Sequence, residues 1–199
     1  MRILLYITLL FTLCGTSHAN LLQQVPQSQL ATLQKGHTVT EQVAVHGVPW
    51  PKLILFRVVH APPHVVSNLF KDYTAGPSYM PGVLAAKVLS RHGNTAIVEY
   101  TVKAPIIGQV SYTVQNTLTQ HGNQTKVAWK LVHSTLAKSS DGSLNMEPYG
   151  NNQTLICYTN LCVPIVSFVP GLQAEALKTA QVTVNALAKE SQRRAHAAH

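Results

Sequence analysis

Histidine is the residue type most available for chemistry in this chain, which has ten of them among 199 residues. His60 and His64 are four residues apart, the spacing that places two metal ligands on one face of a helix. Pro62 and Pro63 lie between them, so His60 ends a strand and His64 begins a helix. This pair therefore does not predict a metal site. His133 falls on the apolar side of a predicted strand; we interpret it as a hydrogen-bonded core histidine, with a catalytic acid or base as the alternative.

The other residue types used in catalysis are sparse. The chain has seven carboxylates, and no two of them form a close pair suited to acid–base hydrolysis. It also has no Gly-x-Ser-x-Gly elbow and no glycine loop that would hold a phosphate. The sequence therefore predicts no catalytic centre, no metal and no cofactor.

Two cysteines, Cys157 and Cys162, follow the N-terminal segment and are separated by four residues. If that stretch turns back on itself, the two can meet the Cα separation that a disulfide requires. An oxidising compartment would permit the bond. We predict a structural disulfide, with two free buried thiols as the alternative.

The first nineteen residues have the pattern of an export signal. Arg2 gives the positive start, Ile3–Leu13 is almost wholly apolar, and Ser17 to Ala19 offers small residues for a signal peptidase. An apolar run of about eleven residues is short for a bilayer core that needs about twenty. We predict cleavage before Asn20 and a periplasmic or secreted mature protein, with a retained membrane anchor as the alternative.

Charge is low and evenly spread. Charged residues are 11% of the chain and hydrophobic residues 46%, with a formal net charge of +8. The lysines and arginines are not concentrated on one segment or interleaved with aromatics, so we exclude nucleic-acid binding. A transient attraction to an anionic membrane surface is consistent with the charge. We expect the protein to be a monomer.

Hydrophobic periodicity divides the chain into a leader, a strand-rich region and a long C-terminal helix. A partly helical leader covers 20–36, and a flexible polar tail covers 191–199. A short helical pair is expected after the first core strand, and its apolar-faced helix follows Pro62 and ends before Gly76. The longest helix is expected from Leu172 to about Glu190. The predicted strands are 37–46, 52–60, 83–91, 95–103, 108–119, 125–135, 142–149 and 154–161.

The order of these elements predicts an α+β fold. Short turns join the later strands, so they form an antiparallel meander. Alternation along the strands makes one face of the sheet apolar and the other polar. An apolar sheet face has to be covered. The long C-terminal helix is the element available to cover it.

The residues around the first predicted helix resemble the opening of START-like proteins, the superfamily that includes polyketide cyclases, Bet v 1 and coenzyme-Q-binding proteins. The matching stretches are Val58 to Pro62, Asp72-Tyr73 and Tyr79 to Val83. The resemblance extends over about 37–190, which we take as one START-like domain. It implies a helix-grip fold, in which a curved sheet wraps the C-terminal helix around an apolar cavity. The export signal and the strand at 37–46 are departures from that pattern.

This resemblance implies a binding or carrier protein for a lipid or other hydrophobic small molecule. We expect Val163–Gly171 and Tyr79–Val83 to gate the cavity. A cyclase or dehydratase that uses His133 with a tyrosine is the first alternative, and a ligand-free interaction module of the cell envelope is the second. The predicted ligand-binding residues are Tyr79, Leu84, Tyr100, Tyr112, Trp129, His133, Met146, Tyr158, Phe168, Leu177, Ala180 and Val184.

Overall fold

A computed structural model describes residues 20–104, 108–165 and 171–197. Its main element is an eight-stranded antiparallel sheet in the order β1-β2-β8-β7-β6-β5-β4-β3. The strands are β1 Val39–Val45, β2 Val48–Val59, β3 Val83–His92, β4 Thr95–Ala104, β5 Gly108–His121, β6 Gln124–Ser134, β7 Ala137–Pro148 and β8 Thr154–Pro164.

Helices precede, interrupt and follow the sheet. Two 3-10 turns, Leu21–Gln24 and Gln27–Gln29, lead into α1, Leu30–Gln34. Between β2 and β3 lie α2, a 3-10 turn and α3, and α4 follows β8. Their bounds are α2 Pro63–Lys71, the turn Tyr73–Ala75, α3 Gly76–Tyr79 and α4 Leu172–Ala197. The order and type of the elements match the sequence prediction, and the helix-grip arrangement is confirmed.

Helix α2 begins where the sequence predicts. Pro62 is the extended N-cap residue and Pro63 occupies the first helical position, where its fixed φ fits and its missing N–H costs nothing. Val66 and Leu69 are fully buried on one face of the helix. After α3, Gly82 adopts a φ of +83°, which a glycine tolerates, and the chain turns into β3.

The main core lies between α4, α2 and one face of the sheet, which we call the inner face. It is apolar because alternate residues of β2, β8, β7 and β6 point into it. The buried strand residues of this core are Leu53, Leu55, Val59, Val127, Leu144, Met146 and Ile156.

The leader packs on the opposite, outer face of the sheet. Leu21, Val25 and Leu33 from the leader join Phe56 and other residues of β1, β2 and β8 in a second buried cluster. The strand residues Val39, Val58, Leu155 and Cys157 complete it. The leader therefore covers the outer face beside the sheet edge.

Helix α4 is longer than predicted. The sequence suggested a helix ending near Glu190 and a polar tail from Ser191, but the helix continues to Ala197. Ser191 is fully buried, and Ala195 packs against the main core. Glu190 also pairs with Arg193 and Arg194 across the next turn, at 2.7 and 3.0 Å. These contacts stabilise the final turns, so the flexible-tail prediction is wrong for 191–197.

The predicted disulfide is also wrong. Cys157 and Cys162 both lie in β8, and both thiols are free. An extended strand rises about 3.3 Å per residue, so five steps separate their Cα atoms by roughly 16 Å. An odd number of steps also places the two side chains on opposite faces of the sheet. The segment does not turn back, because it is paired along its length with β7.

Candidate functional site

The inner face carries a group of aromatic side chains beside the packed core. Trp129 of β6 lies between Phe70 of α2 and Tyr158 of β8, with ring centroids 6.2 and 5.3 Å away. Tyr100 and Tyr112, opposite each other on β4 and β5, stack at 5.6 Å. Strand pairing brings the four strand residues to one side because each occupies an inward position of its strand, and α2 places Phe70 above them.

Burial controls the chemistry of the tyrosine hydroxyls. It raises the pKa of Tyr112 to about 12, and it raises the pKa values of Tyr79, Tyr100 and Tyr158 well above the ordinary value. These groups are therefore neutral at physiological pH. They can orient a ligand by hydrogen bonding, but they are not poised to lose a proton.

A small hollow opens on the inner face beneath the N-terminal turns of α4. It measures about 40 Å³ and is lined by β2, β8 and α4. Gln173 of α4 bridges this end by donating from Nε2 to the carbonyl oxygen of Pro49 at 3.3 Å. The lining residues are Trp50, Pro51, Leu53, Asn160, Cys162, Gln173 and Ala176.

The two halves of α4 are held differently. No residue of 172–179 is buried, whereas Ala180, Val184 and Leu187 are all buried further along. Arg57 donates from Nη1 to Asn185 Oδ1 at 2.9 Å and so ties the second half to β2. The end of the helix over the hollow is therefore the less anchored end.

Most of the predicted ligand-binding residues lie on the inner side of the sheet or on its covering helices. Tyr100 and Tyr112 form the stacked pair, whereas Met146, Ala180 and Val184 are buried in the main core. The residues packed around that core are Tyr79, Trp129, Tyr158 and Leu177. Phe168 lies outside the described residues. Contact of any of these with a ligand stays a prediction.

His133 does not lie where the alternation of β6 placed it. Leu131 pairs with Val114 and His133 pairs with Thr113, so a β-bulge takes up Val132 between them. One extra residue reverses the alternation, which puts His133 on the outer face, exposed to solvent. The prediction that His133 faces the cavity is wrong.

Leu84 is also misplaced by the prediction. The pairing of β3 with β4 skips it, since Val83 is opposite Val102 and Ala85 is opposite Thr101. Leu84 is 50% exposed and lies outside the packed interior. A bulge at the start of an edge strand turns its side chain away from the core.

Sequence reasoning missed the residues around the hollow and one buried residue of the inner face, Asn116. Trp50 and Pro51 of β2 are far along the chain from Gln173 of α4, and only the packing of α4 on β2 brings them together. Asn116 could have been found, because it alternates with Val114 and Leu118 and so falls on the inner face of β5. It is 3% exposed.

The described residues hold no cluster of three or more His, Cys, Asp or Glu side chains that could bind a metal. Across the same residues, no helix has the length and hydropathy needed to cross a bilayer.

The fold matches solved structures closely. The STAR-related lipid transfer protein from Xanthomonas axonopodis (fragment 25–204) superposes with a TM-score of 0.68 at 17% identity, over 78% of this chain and 92% of that one. The chain has the START-like fold. A similar match is the Zhui aromatase/cyclase from a Streptomyces species, with a TM-score of 0.63 at 15% identity, over 72% and 94%.

The START-like fold is shared with eukaryotic proteins as well. Human STARD10 matches with a TM-score of 0.64 at 12% identity, covering 77% of this chain and 68% of that one. No protein-family model matches the sequence, and no curated protein is significantly similar to it. The START-like fold is therefore established from three-dimensional similarity.

Proposed function

We propose that this protein binds a hydrophobic small molecule, such as a lipid, between the inner face of the sheet and the first half of α4. The observation that carries the proposal is the aromatic inner face: Tyr158 of that face lies two residues along β8 from Asn160, which lines the hollow under the first half of α4. An apolar concavity with a few orienting polar groups is the usual form of a small-molecule site. The names of two fold neighbours, a lipid transfer protein and an aromatase/cyclase, support the same class of ligand.

Binding requires the site to open. The hollow is about 40 Å³, whereas sites for drug-sized ligands are about 300–1,000 Å³. Opening would move residues 172–179, none of which is fully buried, and would break the contact of Leu177 with the core and the Gln173–Pro49 hydrogen bond. The second half of α4 stays in place through Ala180, Val184 and the Arg57–Asn185 bond. The first turns of α4 therefore act as the lid.

Affinity then comes from apolar burial. At about 25 cal/mol per Å², a ligand that buries about 300 Å² of apolar surface gains about 7.5 kcal/mol before the costs of association and opening. The neutral tyrosine hydroxyls add orientation rather than charge recognition. The site therefore suits an uncharged ligand.

The first experiment expresses the full-length sequence with export and purifies the product without detergent. Native mass spectrometry and solvent extraction then identify any molecule that copurifies. We expect a stoichiometric hydrophobic compound. A protein that is empty, and that also fails to bind a panel of lipids, quinones and polyisoprenoids, would contradict the proposal.

A matched pair of variants tests the location of the site. Ala176→Trp fills the hollow, whereas Ala174→Trp adds the same side chain at an exposed position two residues away. With N-phenyl-1-naphthylamine as the fluorescent probe, we expect Ala176→Trp to lose binding and Ala174→Trp to keep it. Equal binding by both variants would place the ligand elsewhere.

A ligand-free interaction module of the cell envelope is the second candidate. The small size of the hollow favours it, since the side chains of the core already fill much of the space beneath α4. The cyclase or dehydratase alternative is not proposed, because its acid–base candidate, His133, is exposed on the outer face.

We further propose that the protein works outside the cytoplasm. The pattern of residues 1–19 supports export, and Leu21, two residues beyond the proposed cleavage site, is already buried in the outer cluster. Cell fractionation and N-terminal sequencing test this, and we expect Asn20 as the first residue. Gel filtration and co-sedimentation with anionic vesicles test the predicted monomer and the transient membrane contact.

A further inference from the structure

Asn116 is a buried polar group that the packing of the protein does not explain. It lies on the inner face of β5, opposite Ala96 of β4 and Trp129 of β6. Its side chain is 3% exposed, and within the described residues its Nδ2 has no hydrogen-bond partner. A buried amide donor without an acceptor destabilises the folded protein, so such groups in native structures call for an explanation.

The surroundings of Asn116 indicate what kind of acceptor would suit it. Trp129 is its neighbour on β6, and the ring of Phe70 lies 6.2 Å beyond that of Trp129. On the other side, Ala96 packs in a cluster with Tyr73. The Nδ2 of Asn116, unpaired among the described residues, thus lies on the strand position next to an aromatic side chain, which favours contact with a flat ring.

Asn116 also lies in line with the hollow. Along one row of the sheet, Asn116 is opposite Trp129, Trp129 is opposite Gly142, and Gly142 is opposite Asn160. Asn160 lines the hollow. Three strand spacings of about 4.8 Å separate the two asparagines by roughly 14 Å. To reach Asn116 along this row from Asn160, a ligand would displace the indole of Trp129, which lies over Gly142.

We propose that Asn116 is the hydrogen-bond donor that selects the ligand, which is a ring-bearing apolar molecule carrying a neutral oxygen acceptor such as a ketone or ester carbonyl. A carboxylate would be a poor ligand here, because an ion at this depth needs a paired charge, and the strand partners of Asn116 are an alanine and a tryptophan. This inference rests on the proposed function, since it specifies the ligand of the same site.

The test compares 9-fluorenone with fluorene, two ring systems of nearly the same shape of which only the first has a carbonyl oxygen. Affinities are measured by calorimetry on the purified exported protein. We expect the wild type to bind fluorenone about tenfold more tightly, the effect of one net hydrogen bond. Asn116→Leu should bind both compounds with the affinity that the wild type has for fluorene.

Two further measurements separate ligand recognition from a structural role. Asn116→Leu should raise the melting temperature of the ligand-free protein by about 2–4 °C, because it removes an unpaired buried donor. Asn145→Leu is the control: Asn145 lies on the outer face and donates from Nδ2 to Ser143 Oγ at 3.2 Å, so its loss should leave the preference for fluorenone unchanged. If Asn116→Leu does not fold, Asn116→Ala tests the same preference without added bulk.

The outcomes distinguish this inference from the function on which it rests. If the wild type binds both compounds and Asn116→Leu keeps the preference for fluorenone, ligand binding stands and the role of Asn116 is refuted. A lower melting temperature of Asn116→Leu together with unchanged selectivity would make Asn116 a structural residue. If the wild type binds neither compound, this inference fails, and the panel of lipids, quinones and polyisoprenoids decides the proposed function separately.

Discussion

Substitution of Gly142 by alanine is the sharpest test of how the inner face of the sheet is packed beneath the site. The indole of Trp129 lies over Gly142, in the space that a side chain at that position would occupy. A methyl group there would also overlap the carbonyl oxygen of Thr159 on the neighbouring strand. Both overlaps are closer than van der Waals contact, so the ring or the strand would have to shift.

Strand propensity and packing predict opposite signs for this change. Alanine in a strand interior is favoured over glycine by about 0.5–1 kcal/mol. Overpacking a filled interior costs about 1–3 kcal/mol. We therefore expect Gly142→Ala to lower the free energy of unfolding by about 1–2 kcal/mol, and the melting temperature by about 2–8 °C for a chain of this size.

Urea denaturation followed by tryptophan fluorescence measures the change, with Gly76→Ala as the matched control. A methyl at Gly76 would lie 3.8 Å from Val83 Cγ1 and 4.0 Å from Tyr100 Cε1, which are ordinary contacts. The φ of Gly76 is −45° and its ψ is −50°, a helical conformation in which the ring of Pro77 crowds a Cβ on the preceding residue. Because this crowding offsets the entropic gain, Gly76→Ala should change the free energy of unfolding by less than about 1 kcal/mol.

A double-mutant cycle with Trp129→Leu divides the cost at Gly142 between the ring and the carbonyl. If overlap with the indole causes most of the destabilisation, Gly142→Ala should lower the free energy of unfolding less in the Trp129→Leu background than in the wild type. A neutral or stabilising Gly142→Ala would refute the reasoning, because it would mean that Trp129 does not rest on this glycine.

Three further predictions concern the rest of the molecule. Hydrogen bonds from Arg193 and then Arg194 lower the pKa of Glu190 from 4.5 to about 2. The stabilising contribution of Glu190 is therefore complete above about pH 5 and is lost as the pH falls toward 2. In Glu190→Gln, the urea midpoint should depend less on pH over that range. Burial raises the pKa of Cys157 to about 12, so iodoacetamide should leave this thiol unmodified in the folded protein. An intact mass lower by two hydrogens would show a disulfide and refute the conclusion that Cys157 and Cys162 are free thiols. Leu33→Ala should lower the free energy of unfolding by about 2–5 kcal/mol and leave ligand affinity unchanged, because Leu33 packs on the outer face. Weakened ligand binding with unchanged stability would contradict this.

Much of the fold follows from local patterns. Two prolines mark the start of α2, and the alternation in β4 correctly places Ala96, Val98 and Tyr100 on one face. Each of these signals lies within a few neighbouring residues, so it is present in the sequence before any tertiary contact forms. The START-like fold could be inferred for the same reason, since its signature is an order of such elements.

The candidate site was predicted less completely, because it depends on contacts between distant segments. The alternation of β6 points His133 inward unless Val132 forms a bulge, and that bulge is determined by how β5 pairs with β6. The spacing of Cys157 and Cys162 permits a turn, but pairing of β8 with both β2 and β7 keeps the segment extended.

By itself, the sequence determined the strands, the helices and the apolar character of one sheet face, because hydrophobic periodicity and turn chemistry act over short stretches of chain. The tertiary structure decided which side chains of that face are accessible to a ligand. It turned His133 outward, buried the Nδ2 of Asn116 without a hydrogen-bond partner among the described residues, and placed the first turns of α4 over the hollow. These features arise from strand pairing and helix packing between residues far apart in the chain, where a shift of one residue reverses a side chain.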